Sequence, residues 1–242
     1  MRGELPSLNG NRTRTLDKTA FCFYNKYAEM IGDANTRGIR GYFASFFILF
    51  YRRRRCVAGT ELKDIFERSP VIASVYEENF NAALESPCEV LFDLKASILT
   101  VSQRIQAAHR AGKKIFVHID LASGIGKDRA GIEFLAKAGA DGIISTRGQL
   151  IRQARDFGLY TVQRFFALDS QGINSIHEML ETVAPDMIEL MPGVIGKIIK
   201  SFAQNGVSVI AGGLIETKAE VTEVLACGAT AVSTGTKELW YI

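Results

Sequence analysis

Two short turns near the C-terminal end of the chain carry the residues best suited to chemistry. Between Val207 and Trp240 the sequence reads VSVIAGGLIETKAEVTEVLACGATAVSTGTKELW. The β-branched run Val207 to Ala211 closes on Gly212 and Gly213, and Thr217 to Ala226 then places Ala219, Val221, Val224 and Leu225 at helical spacing. Gly228 stops that helix, Ala231 and Val232 begin a second buried strand, and Ser233-Thr234-Gly235-Thr236 leads into a last short helix. Two consecutive strands thus end in small-residue turns at helix N-termini. Glycine lets the backbone approach an anion closely, and the free N–H groups of a first helical turn favour negative charge. A phosphate is the expected guest.

Charged and polar residues also recur where other strands should end. Asp93 and Lys95 follow one β-branched run, His118 and Asp120 the next, then Thr146 and Arg147, Gln163 and Arg164, and Glu189. Charge inside a buried strand is costly unless it is paired, so these residues are expected to meet each other or a ligand. His118, Asp120, Glu189 and Asp93 could supply the general acid and base of an isomerase or lyase. They could equally hydrogen-bond the hydroxyls of a small polyol phosphate without any reaction. Arg147, Arg152 and Arg155 form a basic group on or beside the helix after the fourth strand, with Lys197 and Lys200 on a later one. No aromatic RNA-binding motif accompanies them.

These residues need a frame, and the chain supplies one from Leu62 onward. β-rich runs at Val71–Val75, Val90–Asp93, Ile115–Asp120, Gly142–Ser145, Thr161–Arg164, Met187–Leu190, Val207–Ala211 and Ala231–Ser233 alternate with amphipathic stretches. Those stretches are Glu77–Leu84, Ile98–Arg110, Asp128–Lys137, Gln149–Phe157, Ser170–Val183, Val194–Gln204 and Thr217–Ala226. Helices end at Gly112, Gly139, Gly158, Gly206 and Gly228. Strict alternation argues a parallel sheet, and eight units argue closure into a compact TIM-like (β/α)8 barrel, whose site lies at the C-terminal ends of the strands. AGADGIIST at Ala138 and CGATAVST at Cys227 echo each other, as doubling of a half-barrel would produce.

Composition is that of an ordinary globular protein, with 242 residues, 47% hydrophobic and a net charge of +3. The basic excess belongs to residues 1–62, which hold 11 Lys/Arg against 5 Asp/Glu, while residues 63–242 hold 18 against 21. This divides the chain into an N-terminal extension over 1–62, expected to be poorly ordered and dispensable for ligand binding, and a barrel domain over 63–242. Arg52 to Arg55 could touch RNA or an anionic membrane surface. The apolar run Gly41 to Tyr51 is about half the roughly 20 residues a spanning helix needs, so no transmembrane helix is expected and no membrane is counted among the partners. Cys22, Cys56, Cys88 and Cys227 are scattered, and His109, His118 and His177 are not at metal-ligand spacing. A cytoplasmic protein with reduced thiols and no metal or resident cofactor is expected, and a homo-oligomer is compatible with everything above.

Several segments taken together resemble the glycerol-3-phosphate-responsive antiterminators, the glycerol uptake operon antiterminator regulatory proteins. They are IFERSPVIASV from Ile65, HIDL from His118, GIISTR from Gly142, QRFFALDS from Gln163, PDMIELMPG from Pro185, AGGLI from Ala211 with Thr217-Lys218, and GATAVST from Gly228 ending in Leu239-Trp240. The resemblance covers Leu62 to Tyr241. It implies a barrel regulator, not an enzyme, that binds glycerol 3-phosphate and then the leader mRNA of a glycerol-catabolism operon, preventing early termination. It further implies that Gly212, Gly213, Ser233, Thr234, Gly235 and Thr236 hold the phosphate, with His118, Asp120, Arg164 and Glu189 as contacts to the glycerol and phosphate. Arg147, Arg152 and Arg155 are the proposed RNA contacts. TGTK from Thr234 departs from the Ser/Asn-rich form expected there, and residues 1–62 have no counterpart. A sugar-phosphate isomerase or aldolase-like enzyme using His118, Asp120 and Glu189 is the alternative, and a ligand-gated protein-binding module is a third reading.

Overall fold

The computed structural model describes residues 62–167 and 169–242. The expectations for the N-terminal extension, including Arg52 to Arg55 and the run Gly41 to Tyr51, lie outside the described residues. Eight parallel strands close into a barrel in sequence order, β1 (Val71–Val75), β2 (Val90–Asp93), β3 (Lys114–His118), β4 (Gly142–Ser145), β5 (Tyr160–Phe166), β6 (Met187–Met191), β7 (Val209–Gly212) and β8 (Ala231–Thr234). β8 returns to pair with β1. Seven helices follow the first seven strands in turn, α1 (Phe80–Glu85), α2 (Val101–Arg110), α3 (Arg129–Ala138), α4 (Gly148–Asp156), α5 (Ser170–Val183), α6 (Gly196–Gln204) and α7 (Lys218–Ala226). A 3-10 turn, Lys237–Tyr241, follows β8. The TIM-like fold read from the alternation is the fold observed.

The period of two along each strand divides its side chains between two apolar regions. Ile72, Val90, Phe92, Phe116, Ile144, Val162, Met187, Ile210 and Ala231 point inward and fill the barrel. Their neighbours, such as Ala73, Leu91, Val117, Ile143 and Ile188, point outward and pack against the helices. Phe116 lies across the interior only because position 142 is glycine, where a Cβ would come within 2.3 Å of its ring. A helical segment over 62–68 precedes β1, and its Leu62, Ile65 and Phe66 join the interior cluster, closing the end of the barrel where the strands begin.

Local signals fix where the helices begin and end. Asp128 and Asp169 cap α3 and α5 by accepting the N–H groups of Gly131 (2.9 Å) and Gly172 (2.7 Å). All five glycines expected to end helices have positive φ, from 73° to 99°. Among the described residues no helix is long and apolar enough to cross a membrane.

Candidate ligand-binding site

Strand parity decides which polar residues reach the open mouth where the strands end. The inward series continues upward from the apolar layer as Ser74, His118, Arg164, Glu189, Gly212 and Ser233, all buried. Arg164 Nε donates to Glu189 Oε2 at 2.6 Å, and Ser233 Oγ donates to Glu189 Oε1 at 2.6 Å. Each carboxylate oxygen therefore accepts one hydrogen bond, and the two opposite charges form a paired floor. Gly212 makes room for it, since a Cβ there would lie 2.5 Å from Glu189 Oε1 and 2.7 Å from Ser233 Oγ.

His118 differs from its neighbours because it is buried with Nδ1 unpartnered. Burial foremost, and then the Arg164 guanidinium, lower its pKa from 6.5 to about 4. At neutral pH it is an uncharged imidazole with a nitrogen available to a ligand hydroxyl.

Across the mouth from His118 stand the turns after β7 and β8. Gly213 (φ 73°) and Leu214 (φ 58°) are both left-handed. This turn is clasped from the side, because Gly193 N–H donates to the carbonyls of Gly212 (2.6 Å) and Gly213 (3.1 Å). Position 193 admits no side chain, as a Cβ would lie 2.6 Å from the Gly212 nitrogen. The N–H groups of Gly213, Leu214, Ile215 and Gly235 have no acceptor among the described residues. Unspent backbone donors gathered in a turn are suited to an anion.

The N-terminus of α7 is not part of this cradle. Thr217 and Glu220 form a capping box in which Glu220 accepts the N–H groups of Glu216 and Thr217, both at 2.9 Å. A carboxylate already occupies the positive end of that helix. Thr234 serves as framework, its Oγ1 donating to the Ile215 carbonyl (2.9 Å) and accepting the Thr236 N–H (3.1 Å), so the two turns are locked together.

Other expected site residues fall elsewhere. Asp93 follows inward-facing Phe92 and so points out through the wall, where its carboxylate lies 3.1 Å from Arg104 Nε of α2. It is not a mouth residue, and the reason is the one-residue parity shift. Gln163 likewise faces outward, buried with both amide atoms unpartnered. Asp120 belongs to a 3-10 turn, Ile119–Leu121, rather than to β3. It accepts from Ser145 Oγ (3.0 Å), Thr146 N (2.7 Å) and Thr146 Oγ1 (3.1 Å), bracing one loop against the next, and lies near enough to His118 for its charge to oppose the lowering of that imidazole's pKa.

The three arginines do not form one patch. Arg147 reaches toward Asp120 at 3.6 Å on the rim of the mouth, Arg152 is exposed on α4, and Arg155 donates to the Ala184 carbonyl at the end of α5 (2.9 Å). Two residues near the mouth escaped the sequence reading. Ser74 was legible by parity alone, two positions after inward-facing Ile72. Lys127 lies in a glycine-rich loop, and its ammonium donates to the carbonyls of Ala122 and Ile125. At the opposite end of the barrel a polar groove of about 420 Å³ is lined by charges that pair with each other, Arg68 with Glu89 and His109 with Asp141.

The chain is similar to known proteins over this same region. Residues 71–240 match the family described as glycerol-3-phosphate responsive antiterminator. The uncharacterized protein YgcP of Escherichia coli K12 is 31% identical over 185 residues, spanning 74% of this chain and 95% of that protein. The crystal structure of the glycerol uptake operon antiterminator regulatory protein from Listeria monocytogenes superposes with a TM-score of 0.67 at 36% identity, over 70% of this chain and 94% of that one. A glycerol uptake operon antiterminator-related protein from Thermotoga maritima gives 0.65 at 34% identity, over 71% and 98%.

Proposed function

We propose, from the premise that this chain belongs to the glycerol-3-phosphate responsive antiterminator family, that its mouth is a sensor site for glycerol 3-phosphate and that the loaded protein binds a leader mRNA. The phosphate sits against the N–H groups of Gly213, Leu214, Ile215 and Gly235, with Ser233, Thr234 and Thr236 shaping the cradle beneath. The glycerol hydroxyls extend across the floor toward His118 Nδ1, over Arg164 and Glu189. One observation carries this reading: the mouth has unused donors on one side, an uncharged unpartnered imidazole on the other, and a carboxylate between them with both oxygens occupied.

The same observation weighs against the enzyme alternative. That alternative draws on Glu189 and Asp120, beside His118, to take or give a proton. Glu189 is held by Arg164 and Ser233, and Asp120 is held by Ser145 and Thr146. Regulation then requires only that ligand and RNA each bind better in the presence of the other, a coupling that is reciprocal by necessity.

The test is calorimetric titration of the full chain with glycerol 3-phosphate, with glycerol and inorganic phosphate as controls. Selective binding of the ester is expected, with the ligand recovered unchanged. Gly213→Val should abolish it, because position 213 has φ 73° and a Cβ there would meet Met191 Cε at 2.7 Å. Equal affinity for free phosphate, or turnover of the ester, would overturn the reading.

A further inference from the structure

Apart from Tyr241 and Ile242, every large apolar side chain exposed among the described residues stands on the rim of the mouth, at or just after the C-terminal end of a strand. The rim is not uniform. On its β2–β4 side the loops are fused into one ledge. Ile98 N–H donates to Ser123 O (2.9 Å), Ser123 N–H to Ala96 O (2.8 Å), and glycine at 124 lets Ile98 pack where a Cβ would come within 2.5 Å. Asp120 ties the same ledge to the β4 loop through Ser145 and Thr146. Leu99 is 84% exposed on this ledge and Leu121 53%, with Phe166 at the neighbouring end of β5 also 53% exposed.

The ledge also carries three cations. Lys95 is exposed, Lys127 is half-buried in the β3 loop, and the Arg147 side chain is 59% exposed. Its acids are occupied, Asp120 by the loop contacts above and Asp128 as the cap of α3. The rest of the rim mixes its charges, with Glu77 and Glu78 after β1, Glu216 and Lys218 after β7, and Lys237 and Glu238 after β8. The ledge is the part of the rim whose carboxylates are all engaged within the fold. The ledge presents apolar and aromatic surface interleaved with positive charge, whereas the loops after β7, β8 and β1 set lysines beside carboxylates around Tyr76 and Leu214.

We infer that the β2–β4 ledge, with Phe166 at its edge, is the surface on which single-stranded RNA docks, its unpaired bases against Leu99, Leu121 and Phe166 and its phosphates on Lys95, Lys127 and Arg147. The inference rests on the antitermination reading above and adds the location. Unpaired bases offer apolar faces that a duplex hides, and stacking or apolar contact with them supplies affinity that a weakly charged protein lacks. Phosphate contacts then fix position. The phosphate cradle after β7 and β8 lies across the mouth from the ledge and is left to the small ligand. His118 ends β3 and Asp120 follows two residues later, so a ligand on His118 lies directly beneath the brace that shapes the ledge.

The experiment uses the full chain with saturating glycerol 3-phosphate. Its probe is the transcribed leader of the glycerol-catabolism operon, with pooled random-sequence single-stranded RNA as comparison, read by fluorescence anisotropy. Leu99→Glu with Leu121→Glu should weaken leader binding about tenfold or more. Arg147→Gln should weaken it several-fold and make its salt dependence shallower by about one unit of slope. Arg152→Glu, on the outer face of α4, should change it by less than about twofold, and all three should bind the ligand as the wild type does. Leader binding that survives the double substitution overturns the ledge and leaves the antitermination reading standing. Ligand binding without RNA binding by the wild type overturns both. Loss of self-association, rather than of RNA affinity, in the double variant makes the ledge a protein interface and also overturns the proposal.

Discussion

The barrel wall holds two buried arginine–carboxylate pairs built to opposite specifications. Inside the mouth, Arg164 meets Glu189 at 2.6 Å and Ser233 donates to the second carboxylate oxygen, so each oxygen of the anion is hydrogen-bonded. Behind the wall, Arg104 lies 3.1 Å from Asp93, yet neither carboxylate oxygen nor Nε makes an aligned hydrogen bond. Burial raises the Asp93 carboxyl above its usual range and lowers the Arg104 guanidinium, each opposed by the other's charge. Arg104 is held partly by other means, 4.3 Å from the centre of the Phe80 ring and 3.3 Å from the Tyr76 carbonyl. A buried charge pair is thus no signature of a site by itself. The inner pair lines a mouth with unused donors, and the outer one fills a seam between sheet and helix.

The comparison breaks most visibly when one partner is removed. Glu189→Leu and Arg104→Leu should each destabilise the fold by about 3–5 kcal/mol, because each strands a buried charge. Urea unfolding read by circular dichroism measures both. Removing both partners separates the pairs. Asp93→Leu with Arg104→Leu should be neutral or stabilise by up to about 4 kcal/mol and leave ligand affinity unchanged. Arg164→Leu with Glu189→Leu should recover much of the stability and still lose glycerol 3-phosphate binding in calorimetry. Ligand binding by both double variants would show that the inner pair is no more functional than the outer one.

A smaller effect, of about 3 kcal/mol, is set by His118 beside the inner pair. The unfolded chain takes up a proton near the ordinary value of 6.5, and the fold does not until about 4. Between those values the unfolded state binds more protons, so stability falls as pH drops from about 6.5 toward about 4 and is unaffected above that window. Denaturation midpoints at a series of pH values should show the fall in the wild type and a flatter curve in His118→Asn. In the variant lacking Arg164 and Glu189 most of the fall should persist, since burial rather than the Arg164 charge is the larger cause.

How much of this was legible in the sequence follows from the kind of signal involved. The barrel, its eight strands and the glycine stops were readable because each βα unit repeats the same periodicities, and β1, β2, β4 and α5 fall where the pattern puts them. Arg164, Glu189, His118, Gly212 and Ser233 were readable as residues near strand ends. Asp93 and Gln163 were misplaced because position near a strand end does not say which face a side chain takes. That needs the parity of the strand, which Phe92 and Val162 fix. Asp120 reads as part of a strand, whereas the strand stops at His118 and turns into a 3-10 segment, which carries no hydropathy pattern over so few residues. Lys127 carries no signal in the sequence for a different reason. Its place beside the mouth depends on a loop whose path is set by backbone contacts, such as Gly131 lying so close to the Gly126 carbonyl that a Cβ would come within 1.9 Å.

The least of the expected effects discriminates between two ways of holding a phosphate at the β7 turn. The sequence alone points to the N-terminus of the following helix, whereas the free donors belong to Gly213, Leu214 and Ile215, ahead of it. The capping box of Thr217 and Glu220 satisfies the helix from within and puts a carboxylate where the phosphate would otherwise go. Thr217→Ala removes the cap and should cost about 1 kcal/mol of stability, seen as a lower urea midpoint. If the turn holds the anion, ligand affinity measured well below that midpoint stays within about twofold of the wild type, because none of the turn's donors has been touched. If instead affinity rises as the competing Glu220 carboxylate loosens its hold, the helix end is an anion site kept closed by its own side chain, and the ligand contacts move from Gly213 toward Glu220.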